Sequence, residues 1–179
     1  MTDADYTATI FRQSKVQLKT AGGLFQTATR YFTKHAGASV NKIDYNWTFP
    51  NGVELKCHYL DNNTDDLQGM QCTEFFVDEA TQCREEDVMY LMSRLRSKSR
   101  KKHQLRMMTN PKINSFLHKF LEKGGYLDGN GYPVPEMDGV TTFMLQIGGE
   151  WRFEKDIEVL VEEFGETARE DAYRFVFYG

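Results

Sequence analysis

The chain has no glycine-rich segment ending in Lys-Ser or Lys-Thr, so no phosphate-binding loop of the usual kind is encoded in its 179 residues. Gly22-Gly23 is followed by Leu24 and Phe25, with no lysine, and lies inside a helical pattern. No run approaches the ~18 apolar residues of a membrane span. The polar, acidic start carries no signal-peptide pattern. Cysteine is scarce: Cys57, Cys72 and Cys83 are an odd number, widely spaced, without the Cys-x₂₋₄-Cys knuckle of a structural zinc site. Free thiols in a reducing compartment are expected. The four histidines, His35, His58, His103 and His118, are scattered and build no Ser-His-Asp or Cys-His set. A net charge of −4 excludes a wholly nucleic-acid-coating protein, which would be basic. With 40% hydrophobic and 13% aromatic residues the chain is too apolar for disorder and long enough to bury a core.

The most informative stretch is Glu74-Phe75-Phe76-Val77-Asp78-Glu79-Ala80-Thr81. A short apolar strand that buries Phe75 and Val77, or Phe76, delivers two adjacent carboxylates to its carboxyl end. Nucleotide-hydrolysing enzymes use this layout: the aspartate holds Mg²⁺, usually through water, and the glutamate orients and deprotonates the attacking water. The competing reading is a buried strand that ends in a solvated acidic turn.

Downstream, Leu105 to Pro111 reads as a second buried strand. Pro111 ends it, which puts Thr109 and Asn110 at the edge where open α/β sheets bind ligands. There they can sense a γ-phosphate or the attacking water. Between the strands, Val88, Leu91, Met92 and Leu95 form an i, i+3, i+4, i+7 stripe, predicting a helix to about Lys98. Glu85, Glu86 and Asp87 open it, and Arg94, Arg96 and Lys98 close it, as the macrodipole favours. Strand, acid pair, helix, strand is a βαβ unit with parallel strands.

Elsewhere, Thr7 to Phe11 reads as a strand and Gln17 to Thr33 as a helix weakened by Gly22-Gly23. Tyr45 to Phe49 and Val53 to Tyr59 read as a hairpin turning at Asn51-Gly52. Asp61 to Gly69 is a polar loop, Ser115 to Lys123 a helix, and Gly124 to Gly139 a solvent-facing turn-rich insertion. In that insertion Asp128-Gly129-Asn130-Gly131 departs from a calcium loop. Val140 to Ile147 and Trp151 to Phe153 make a second hairpin through Gly148-Gly149. Asp156 caps a helix through Phe164, and Tyr173 to Tyr178 is a last strand. The basic run from Arg94 to Arg106 reads either as a phosphate-contacting patch or as a solvated helix end.

Several segments in order resemble one family, the large terminase subunit of tailed bacteriophages, the ATPase that drives DNA into the capsid. They are Ile10-Phe11-Arg12-Gln13, Leu67-Gln68-Gly69-Met70-Gln71, Phe76-Val77-Asp78-Glu79-Ala80-Thr81-Gln82, Ser93-Arg94-Leu95-Arg96, Met108-Thr109-Asn110-Pro111, and the stretch from Gly139 to Gly179. The resemblance implies an α/β, P-loop NTPase-like (ASCE) fold: a mainly parallel sheet with flanking helices and appended β-hairpins, lacking the Walker A segment. It implies that residues 1–179 are a partial ATPase domain, without the C-terminal nuclease domain. Mg²⁺ and ATP are the implied cofactors, with Asp78 the metal-side carboxylate, Glu79 the general base or water-orienting group, and Thr109 and Asn110 coupling hydrolysis to movement.

Arg12 and Gln68 are expected to contact the nucleotide or a neighbouring subunit, or, for Arg12, a helix terminus or an acid, Glu79 or another. No arginine lies between Asp61 and Ala80, so a trans-acting arginine must come from elsewhere, with Arg94 and Arg96 as candidates. The implied partners are double-stranded DNA, the portal protein, the small terminase subunit, the remaining segments of the large subunit and further copies in a ring, in the host cytoplasm and with no membrane. The rival readings are a helicase-like motor and a non-catalytic, degenerate module that packs against a full ATPase.

Overall fold

The computed structural model describes residues 3, 5–60, 67–110 and 112–178. Pro111 and most of the Asp61–Gly69 loop therefore lie outside the described residues. The chain divides into two compact units, Met1–Lys112 and Ile113–Gly179.

The first unit holds β1 (Thr7–Arg12), α1 (Lys15–Lys19), α2 (Leu24–Ala36), β2 (Ser39–Asn41), β3 (Asn46–Thr48), β4 (Glu54–Tyr59), β5 (Glu74–Asp78), α3 (Glu85–Ser93) and β6 (Gln104–Met108). They form one six-stranded sheet in the order β2-β3-β4-β1-β5-β6. β4, β1, β5 and β6 run parallel, and β3 and β2 extend the sheet antiparallel. The expected mainly parallel sheet with flanking helices and a hairpin at Asn51-Gly52 is present. β2 had no sequence signal, being only three residues long.

Central strands β1 and β5 are covered on both faces, as parallel strands require. Phe11, Phe75 and Val77 are fully buried, and the Phe11 and Phe75 rings meet edge-on at 5.5 Å. Towards β3, Trp47 is fully buried, stacked on Phe25 at 4.9 Å and edge-on to Phe32 at 5.2 Å. Its indole N–H donates to Thr29 Oγ1 at 3.0 Å, so the polar end of the ring is satisfied inside the core. At the amino edge, Glu74 is buried between Tyr6, whose hydroxyl donates to it at 2.6 Å, and Arg106 at 2.6 Å. Burial, and then that hydrogen bond, push the Tyr6 phenol pKa up.

Two helices differ from the sequence reading. The expected helix over 17–33 is two, α1 and α2. Gly22 turns the chain at φ +75°, and a Cβ on Gly23 would sit 2.7 Å from the Thr20 carbonyl oxygen, so the backbone doubles back where only glycine fits. The second correction concerns α3, which ends at Ser93 rather than near Lys98. Leu95 leaves the helix to bridge Cys72, and the Ser97 and Ser99 hydroxyls accept from the Ser99 and Lys101 N–H groups, offering the backbone an alternative to helix. Arg94 is thus the C-cap of α3, still at the helix end where a cation suits the dipole, while Arg96 and Lys98 are loop residues. At the other end Asp87 is fully buried and is gripped by Arg84 through two bonds of 2.7 and 2.8 Å.

The second unit contains α4 (Phe116–Lys123), β7 (Thr141–Ile147), β8 (Glu150–Glu154), α5 (Ile157–Phe164), α6 (Thr167–Asp171) and β9 (Tyr173–Val176). Its three-stranded antiparallel sheet has the order β8-β7-β9. Gly148 and Gly149, both at positive φ, turn the β7–β8 hairpin as expected. Ser115 caps α4, and Asp156 caps α5 by accepting from Glu158 N–H. The 124–139 segment is a mostly exposed turn closed by an antiparallel Leu127–Pro133 bridge, as expected, but it is anchored in the core: Tyr126 is fully buried among Phe153, Phe175 and Phe177, and Met137 is buried. Asp128 folds a local turn, accepting from the Asn130 and Tyr132 N–H groups, which hold its carboxyl below the usual range. Among the described residues no three or more His, Cys, Asp or Glu side chains gather as a metal site.

Cys57, Cys72 and Cys83 are buried and free. Burial pushes the Cys57 and Cys83 thiols up to about 12. At pH 8 the reactive thiolate is therefore scarce in the folded protein. Labelling with a disulfide reagent at pH 8 is expected to leave these two thiols unmodified in buffer and to modify them promptly in denaturing urea. Rapid labelling in buffer would show that the sheet opens locally.

Candidate functional site

The carboxyl ends of β1, β5 and β6 lie side by side. The β1–β5 register pairs Phe11 with Val77, which sets the next residues, Arg12 and Asp78, opposite each other. The Arg12 guanidinium closes on Asp78: Nε donates to Oδ2 at 2.7 Å, and Nη2 lies 2.7 Å from the same oxygen. Each side chain is 22% exposed, so the pair is largely shielded from water. Of the partners weighed from sequence, Arg12 takes an acid, and that acid is Asp78 rather than Glu79.

Glu79 follows in left-handed backbone, φ 57° and ψ 47°, and opens the short 3₁₀ turn Ala80–Gln82. A β-carbon is disfavoured there by roughly 1 kcal/mol or more, a strain of the sort held at functional positions. The strain turns the chain out of the sheet at once, so the two adjacent carboxylates are separated. Asp78 stays at the strand end, while Glu79 lines an open groove. Glu79 makes no ion pair among the described residues.

On β6, Met108 pairs with Asp78 in register. Beyond it, Thr109 Oγ1 lies 2.9 Å from Thr81 Oγ1 and accepts from Thr81 N–H at 3.3 Å. The turn that carries Glu79 is thereby tied to the tip of β6. The groove is about 490 Å³ and is lined by Gln13, Glu79, Thr81, Gln82, Asn110 and Lys112. That size is within the range of small-molecule sites. One carboxylate, one ammonium and four neutral polar side chains suit a polar, charged ligand better than an apolar one.

The structure therefore brings together Arg12, Asp78, Glu79, Thr109 and Asn110. Gln68 sits in a turn closed by Met70 N–H to the Leu67 carbonyl and is not among the groove-lining residues. Arg94 and Arg96 are at the opposite, amino edge of the sheet. The Arg94 carbonyl accepts from Cys72 N–H, two residues before β5 begins, and its guanidinium lies over Tyr90 at 4.6 Å. Gln13, Gln82 and Lys112 line the groove without having been assigned a role from sequence. Each is within a few residues of the end of β1, β5 or β6, so position just past a strand end was the available signal.

Fold and site together define an α/β protein with an open polar groove at the lip of its parallel strands, where α/β sheets commonly bind ligands. The family model described as "Terminase large subunit, T4likevirus-type, N-terminal" matches residues 1–168. The chain belongs to that family, which implies a DNA-packaging role, with DNA and packaging machinery as partners. No curated protein matches the sequence. Among the described residues no helix is long and apolar enough to cross a membrane.

Proposed function

We propose that this chain is part of the ATP-hydrolysing motor with which a viral large terminase moves double-stranded DNA into a procapsid. The observation that carries the reading is the placement of Asp78 and Glu79 at the lip of the parallel sheet beside Thr109 and Asn110, with Glu79 open to a groove of ligand size. In this reading Glu79 orients the attacking water and takes its proton, the role a carboxylate at that position performs in such motors. Asp78 is the carboxylate that would hold Mg²⁺, once released from the Arg12 guanidinium that now engages it, and a cation held there would neutralise phosphate charge. Thr109 and Asn110 sense the groove's contents through the Thr81 link and pass them to β6.

A phosphate cradle is the part these residues do not supply. Among the described residues no strand pairs with the outer edge of β6, and in an ASCE reading that edge is where a further parallel strand would add. A segment added there would end beside Asn110. The portal protein, the small terminase subunit and a ring of copies at the procapsid, in the host cytoplasm, complete the reading.

The test is steady-state ATP hydrolysis with Mg²⁺ by the 179-residue chain, alone and mixed with a segment that carries a phosphate-binding loop. Negligible turnover alone and measurable turnover in the mixture are expected. Robust turnover alone would refute the reading. The Arg12–Asp78 ion pair favours one alternative, a non-catalytic module in which the carboxylate is permanently occupied. A stable complex with the added segment that never hydrolyses ATP would establish it.

A further inference from the structure

We propose that the loop joining α3 to β6 docks the phosphate backbone of duplex nucleic acid. This loop is at the amino edge of the sheet, the opposite end from the groove. Residues 94–103 contain no aspartate or glutamate, whereas the whole chain carries −4. Of the arginines bordering it, Arg94 is stacked on Tyr90 and Arg106 is paired with Glu74. The remaining cations, Arg96, Lys98, Arg100, Lys101 and Lys102, are all exposed. The charged heads of these five form no carboxylate ion pair among the described residues.

The loop is built rather than loose. Ser97 Oγ lies 2.8 Å from Thr73 Oγ1 and 3.1 Å from His103 Nε2, and it accepts from Ser99 N–H. Asp3 Oδ2 accepts from the Ser99 hydroxyl at 2.7 Å and from Arg100 N–H at 2.9 Å. On the loop side each of these bonds uses a hydroxyl, an imidazole or the backbone, and the Asp3 carboxylate is held by the Ser99 hydroxyl and the Arg100 N–H rather than by a cationic head. The network fixes the loop while leaving the ammonium and guanidinium heads available, so less ordering entropy is lost when a polyanion arrives.

Regularly charged phosphates are the ligand such a surface fits. Residues 94–106 contain no Phe, Tyr or Trp, so there is no platform for stacking unpaired bases, and a duplex backbone is favoured over a single strand. No element here is placed to read base edges, which makes the contact independent of sequence. The proposal goes beyond the hydrolysis reading and does not need it, since the loop's charges act without nucleotide.

The experiment is fluorescence anisotropy of a labelled mixed-sequence duplex with the 179-residue chain, without nucleotide, over a range of NaCl. Affinity should fall steeply with salt, with a log–log slope of about −3 to −4.5 for three to five phosphate contacts. The combined variant Lys98→Ala, Arg100→Ala, Lys101→Ala, Lys102→Ala should bind at least about tenfold more weakly with a flatter slope. A charge-preserving variant, Lys98→Arg, Lys101→Arg, Lys102→Arg, should bind like the parent, which separates lost charge from lost folding. No binding at low salt, unchanged affinity in the alanine variant, or tighter binding of polyglutamate than of duplex would overturn the proposal. Neither outcome bears on ATP turnover, so the two readings fail separately.

Discussion

Glu79→Gln should abolish ATP turnover in the complemented protein, by about 10²–10⁴-fold, while leaving the fold intact. The amide keeps the shape of the side chain and its place in the groove but cannot take a proton from water. Glu79→Gly should be equally inactive yet more stable than the parent, by roughly 0.5–1 kcal/mol, because glycine occupies left-handed backbone without a Cβ clash. The φ of 57° at Glu79 is the reason for this opposition. Urea denaturation of the parent and both variants, set beside their turnover, checks it. A Glu79→Gly protein less stable than the parent would mean that the carboxylate itself holds the turn. Turnover retained by Glu79→Gln would remove Glu79 from the chemistry.

The second large effect is expected at Arg12. Removing one member of a shielded pair leaves a charge without its partner, so Arg12→Met should cost about 1–3 kcal/mol in metal-free buffer. Asp78→Asn should also destabilise, and the double variant should cost less than the sum of the two, as groups in direct contact do. Mg²⁺ should restore part of the stability lost in Arg12→Met and none in the double variant, because the released carboxylate is then open to the cation. Denaturation midpoints of the four proteins with and without Mg²⁺ measure this directly. Additive losses and no response to Mg²⁺ would make the pair incidental. A response to Mg²⁺ in Arg12→Met alone would mean that Arg12 competes with the metal for Asp78, and that loading the site requires the guanidinium to move aside.

Much of this site was legible along the chain. β5 and β6 announced themselves as apolar runs that stop at polar residues, and a helix-length stripe between them fixed their parallel pairing. That was enough to bring Asp78, Glu79, Thr109 and Asn110 to one edge. What could not be read was register. Whether Arg12 meets Asp78 or Glu79 depends on Phe11 lying opposite Val77, a contact between residues far apart in sequence. The left-handed turn at Glu79, which parts the two acids, has no sequence signature, since glutamate is not a residue that favours it. The end of α3 was misplaced for a different reason. Leu95 continues the helical stripe, but its backbone forms a parallel bridge with Cys72, and serine hydroxyls accept the N–H bonds that the periodicity would give to a helix. The buried Tyr126 sits in a segment so rich in glycine and proline that composition alone pointed to solvent.

The Thr81–Thr109 hydroxyl contact makes the acid turn and the neighbouring strand tip a single latch. At 2.9 Å it has only about half an ångström of play before the bond is lost. Whatever displaces Asn110 must either drag Glu79 with it or snap the latch, so the Glu79 carboxylate and the strand leading back to the basic loop keep common time.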